Sequence, residues 1–115
     1  MLNEVRLIGR LGKEPDVRPT QKSNVVKLNV ATWEIFYDEV RQEWSEVTEW
    51  HNVECWSQKV DRYQKMKKGD IVVVFGKIVT QSYVDKQGVT KYRTIIQGSA
   101  RPLPRKITND SVNDL

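Results

Sequence analysis

With a single cysteine, Cys55, the 115-residue chain offers no second thiol for an internal disulfide. One histidine, His51, beside that one cysteine makes no zinc constellation. No run approaches the ~20 apolar residues of a bilayer-spanning helix. The opening residues, MLNEVR, lack the basic segment and apolar core of a secretory signal. Internal repeats and low-complexity blocks are missing as well. Gly9, Gly12 and Lys13 fall close together, but without the spacing and the Ser/Thr of a phosphate-binding P-loop they read as a bulge and a turn. His51 has no serine or cysteine partner recognisable at sequence level, and the acids form no tightly spaced pairs. No catalytic residue, cofactor or metal ligand is expected.

Against these absences stand 38% apolar and 30% charged residues, the balance of one soluble globular domain large enough for its own core. The formal charge of +4 is unevenly spread. Residues 34–54 hold seven acids against Arg41, which leaves the remainder of the chain with 18 bases and eight acids. A surface of that kind attracts polyanions, nucleic acid first among them. A solvated surface of mixed charge would account for the charge alone equally well.

Apolar residues alternate in several segments, as in half-buried strands. Over residues 4–11, Val5, Leu7 and Leu11 share one face, and Arg6, Ile8 and Arg10 the other. Residues 12–24, with Pro15 and Pro19, read as a loop. Residues 25–33 form a second strand, 37–46 a polar, acidic connection, and 48–56 a third strand. From Ser57 to Lys68 the spacing of Val60, Tyr63 and Met66 or Lys67 predicts a helix, with Ser57 as N-cap and Gly69 as stop. Strands over 71–83 and 89–97 follow, joined by a turn at 85–88, and residues 101–115 read as a flexible tail after a domain of residues 1–100. Three strands, a helix and two strands make the order of the all-β, five-stranded Greek-key OB barrel, which binds oligonucleotides across its strand 2–3 face. Other α+β folds can share that order.

The segment TEWHNVECW, residues 48–56, poses the sharpest question. Read as a strand, it sets Trp50, Asn52, Glu54 and Trp56 on one face and His51, Val53 and Cys55 on the other. The Val/Cys face belongs to the core, so two large aromatics stand on the polar face. They pack under a loop or a partner subunit, or they form a platform on which unpaired bases stack, worth roughly 1–3 kcal/mol per base. Charge and strand order favour stacking.

The elements Gly9-x-Leu11-Gly12-x-x-Pro15-x-Val17-Arg18 and Thr48-x-Trp50-His51, with further matches at 28–32, 67–72, 83–88 and Tyr92, resemble the bacterial and mitochondrial single-stranded DNA-binding proteins. The likeness covers residues 3 to about 98. It implies an OB fold, a homotetramer with a dimer as the alternative, and a non-catalytic role in DNA replication, recombination and repair. It also implies base-stacking aromatics at Phe36, Trp50, Trp56 and Tyr83, phosphate neighbours at Arg10, Lys13, Arg18, Lys86 and Lys91, and His51 near the subunit interface beside a first strand that helps form the dimer. Single-stranded DNA is the implied partner and no membrane is involved. The bacterial cytoplasm is the implied setting, with mitochondrial, phage or plasmid origin as alternatives.

Four departures from the family pattern stand out. Val79, Gln81 and Ser82 occupy places where the family often has bases, and Glu4 stands where lysine is common. The connection over 38–46 is acidic. These three predict weaker, more salt-sensitive binding. The terminal NDSVNDL has two acids and no phenylalanine, so either recruitment of repair enzymes by an acidic tail is lost, as in mitochondrial members, or the sequence is a truncated one. A primosome-type or RNA-binding accessory protein, and a metal-dependent nuclease using the acidic stretch, are the competing readings.

Overall fold

The computed structural model of the protein describes residues 1–104. Its strands are β1 (Val5–Leu11), β2 (Asp16–Pro19), β3 (Asn24–Asp38), β4 (Glu43–Ser57), β5 (Ile71–Val84) and β6 (Thr90–Pro102), and the short helix α1 (Asp61–Gln64) lies between β4 and β5. Hydrogen bonding follows the order β1-β5-β6-β4-β3, and pairing of β1 with β3 closes the ring into a five-stranded barrel of the expected OB type. All neighbours are antiparallel except β4 and β6.

The period-2 pattern decides what fills the barrel. Leu11, Val26, Leu28, Val30, Val53, Cys55, Val72, Val74 and Ala100 point inward and are almost wholly buried. Cys55 is among them, and burial raises its thiol pKa, so it stays a protonated core residue. Closure needs β1 to approach β3 closely. A Cβ at Gly9 would lie 2.4 Å from the Ala31 carbonyl oxygen, so glycine is the residue that lets the two strands meet.

Several boundaries differ from the sequence reading, each for a physical reason. Residues 16–19, expected in a loop, form β2, because Val17 packs against the core while the segment pairs with β3 from Asp16↔Lys27 to Pro19↔Asn24. This added strand moves the helix from between the third and fourth strands to between the fourth and fifth. The helix expected over 57–68 shrinks to Asp61–Gln64. Ser57 is not its N-cap; its hydroxyl bonds Lys59 instead, and Val60 holds the cap position without a side-chain bond. Tyr63 and Met66 are the buried side chains there, and they close one end of the barrel. One helical turn suffices to seat them. The Tyr63 hydroxyl accepts from the Arg62 guanidinium (3.1 Å) and the Ala100 N–H (3.4 Å), and burial raises the phenol's pKa.

The acidic connection expected over 37–46 is mostly strand. β3 and β4 stay in continuous register from Asn24↔Ser57 to Asp38↔Glu43, so the ribbon extends past the barrel as an arm. β6 likewise runs past residue 97 to include Arg101 and Pro102, which the sequence reading put in the tail, and the Leu103 N–H donates to the Ile71 carbonyl. The rest of the expected tail, from residue 105, lies outside the described residues.

Candidate nucleic-acid interface

The outward face of β4 carries Trp50 and Trp56, 60% and 50% exposed. Six residues at ~3.4 Å each separate them by roughly 20 Å along the strand. Register places Arg18, Val25 and Trp56 in one row across β2, β3 and β4, and Asp16, Lys27 and Glu54 in the next. The row after holds Asn29 and Asn52, whose side-chain amides bond at 3.1 Å. Ala31 and Trp50 follow.

Between the tryptophans lies a cleft of about 210 Å³. Its charged lining consists of Lys13, Arg18, Lys27 and Arg93 against Asp16 and Glu54. Asp16 is bound to Arg18 at 3.0 Å. Lys13 and Lys27 have no ion-pair partner among the described residues. Trp50 leans over Gly12, where a Cβ would come 2.3 Å from its ring atom Cζ3. Glycine therefore gives the indole its seat.

Tyr83 and Lys91 are paired on the β5–β6 ribbon, two residues beyond the pair Gln81 and Arg93, and so share their face. Gln81 and Arg93 both bond Glu54, which brings Tyr83 to the tryptophan side of the barrel. Lys86 is exposed at the tip of this ribbon. The Asp85 carboxylate accepts the Val89 and Gln87 N–H groups there and lies 3.5 Å from Lys91. The Val89 bond, then those of Gln87 and Lys91, holds its carboxyl below the usual carboxylate range.

Other expected site residues fall elsewhere. Phe36 is paired with Ser45, which puts it on the opposite face of the β3–β4 ribbon from Trp50 and Trp56. Arg10 is outside the cleft; its guanidinium donates to the Gly69 carbonyl and lies 5.8 Å from the Trp33 ring centroid. His51 takes the inward face at a barrel mouth, where its Nε2 is 2.8 Å from the Thr32 hydroxyl. Glu54, read as an outward polar residue, is 6% exposed because the β5–β6 ribbon covers it. Sequence reasoning missed Lys27 and Arg93 as cleft residues. Lys27 was within reach, since it pairs directly with Glu54 on the tryptophan face. Arg93 arrives through a parallel β4–β6 contact that no local pattern announces.

The Single-strand binding protein family matches residues 2–101 of the chain. Single-stranded DNA-binding proteins of Rickettsia felis and Rickettsia typhi are 36% identical over 98 residues, an alignment covering 81% of this chain and 63% of each relative. The chain thus spans under two thirds of the length of these relatives. Among solved structures, a Plasmodium falciparum SSB complex with ssDNA superposes with a TM-score of 0.79 at 31% identity, covering 90% of this chain and 96% of that one. A deletion mutant of the single-stranded DNA binding protein from Thermus aquaticus superposes with a TM-score of 0.73 at 28% identity, covering 89% of this chain and 50% of that one.

Proposed function

The chain belongs to the single-strand binding protein family, and from that premise we propose that it binds and protects single-stranded DNA without strong sequence preference during replication, recombination and repair. It does so as a binding protein, not an enzyme. The observation that carries this reading is the pair Trp50 and Trp56, half or more exposed on one face of β4 on either side of a basic cleft. Exposed indoles offer flat apolar surface to any base, because every base has a π-face. Tyr83 extends the platform on the second ribbon. Lys13, Arg18 and Lys27 neutralise backbone phosphates, which makes affinity fall as salt rises. A duplex hides its base faces in the stack and so lacks the main contact.

Assembly belongs to the same reading. β1 uses one edge fully on β5, while β3 takes the other edge at Arg10 and Leu11. The edge over residues 5–8 is thereby open to a strand from a second copy. Beside it opens an apolar pocket of about 360 Å³ lined by Val5, Leu7, His51, Ile78 and Ile96 among others. A homotetramer built on such a dimer would cover that edge and the Val5 and Leu7 side of the pocket, leaving Trp50 at its other side for bases.

The test is fluorescence anisotropy of labelled oligo-dT across a salt series, with duplex DNA as competitor and Mg²⁺ present. Tight, salt-sensitive binding to intact oligo-dT that duplex fails to displace supports the reading. Equal binding of duplex, or degradation of the label, would overturn it.

A further inference from the structure

We infer that Arg93 is a phosphate-binding residue, and that Gln81 and Glu54 position it. The inference rests on the single-stranded DNA reading above. Gln81 lies directly across β5–β6 from Arg93. Arg93 Nε donates to Gln81 Oε1 at 3.0 Å, Gln81 Nε2 donates to Glu54 Oε1 at 3.2 Å, and Arg93 Nη2 donates to Glu54 Oε2 at 3.4 Å. The three side chains close a ring joining β4, β5 and β6. Both ends of the Gln81 amide and both carboxylate oxygens are used.

The ring is lopsided in exposure. The Glu54 side chain is 7% exposed and that of Arg93 48%. A buried carboxylate needs a partner, yet 3.4 Å is long beside the 2.7–2.9 Å of a strong charge-assisted bond. The guanidinium is oriented by Glu54 without being saturated by it. Of its five N–H groups, two are engaged in the ring, which leaves three for a ligand in the cleft that Arg93 lines with Lys13, Arg18 and Lys27. Arginine prefers phosphate in this state: planar, permanently charged and held in advance, so that little side-chain freedom is lost on contact.

The measurement is the slope of log Kobs against log salt for oligo-dT, taken per protomer, on the full chain. R93Q should flatten the slope by about 0.7, the share of one phosphate contact on a single strand, and weaken binding several-fold. R93K should keep the slope but recover affinity in part, since lysine cannot make both ring contacts. Q81A should weaken binding in the native background and add nothing to R93Q. Because R93Q strands a buried carboxylate, E54Q/R93Q is measured beside it; a folded double variant should show the same flattened slope. If both variants bind with the native slope while only their melting temperature falls, Arg93 is a structural ion pair and the inference is wrong. Failure of the native chain to bind oligo-dT would instead remove the DNA reading itself.

Discussion

Gly12→Ala is a one-methyl perturbation that reaches the site through a single contact. The new Cβ would stand 2.3 Å from Trp50 Cζ3 and 2.7 Å from Cη2. Ordinary contact begins at 3.4 Å, so the indole must retreat by about 1.1 Å or change rotamer. Trp50 is 60% exposed, so it can swing outward without opening the core. Stability should then change by less than about 1 kcal/mol, within the range of a tolerated Gly→Ala change. Binding should suffer more, because a stacking platform moved by an ångström loses much of a contact worth roughly 1–3 kcal/mol, or about 5- to 150-fold in Kd. Anisotropy titration of oligo-dT at fixed salt gives the number, and a double-mutant cycle with W50A assigns it. G12A should cost nothing further once Trp50 is alanine. Native affinity in G12A, or additive losses in the cycle, would refute the idea that Gly12 seats Trp50.

Other consequences follow from residues away from the cleft. Tyr63→Ala should cost about 3–5 kcal/mol in urea unfolding because it leaves a cavity in the barrel end. Tyr63→Phe should cost about 1 kcal/mol, the net worth of the lost hydrogen bonds; equal costs for the two would contradict the plug role. Asp85, held below the ordinary aspartate value of 3.8 by turn N–H groups and Lys91, stabilises the β5–β6 turn fully above that value, and the contribution fades as pH falls through its lowered pKa. Amide shifts of Gln87 and Val89 should therefore titrate below pH 3.8 and stop doing so in D85N. A midpoint above that value would contradict the turn geometry.

How much of this was legible beforehand depended on the range of the signal. Alternation in β4 set Val53 and Cys55 inside and Trp50 and Trp56 outside, and the structure keeps that division, because a strand's two faces are a local property. The same rule, run across the β3–β4 register, turns Phe36 to the other face, which motif matching alone does not reveal. β2 escaped notice because four residues carry one inward apolar side chain, Val17, too little for a periodic signal. The sequence overstates the helix because Val60, Tyr63 and Met66 are spaced for about two turns, although one turn is enough to deliver Tyr63 and Met66 to the barrel end. The Glu54–Gln81–Arg93 ring was beyond reach, since it depends on strands 27 and 39 residues apart meeting through barrel closure. That Gln81 lies directly across from Arg93 was likewise hidden, because it depends on the β5–β6 register.

The central claim is that exposed tryptophans meet bases, and intrinsic tryptophan fluorescence tests it without labels. Trp33, Trp44, Trp50 and Trp56 are all at least 46% exposed, so each can report contact. Titration with poly-dT should quench the emission deeply, less so as salt rises, with duplex DNA leaving it near its starting value. Most of the quenching should vanish in W50A/W56A. Quenching of equal depth by duplex, or undiminished quenching in the double variant, would contradict the account.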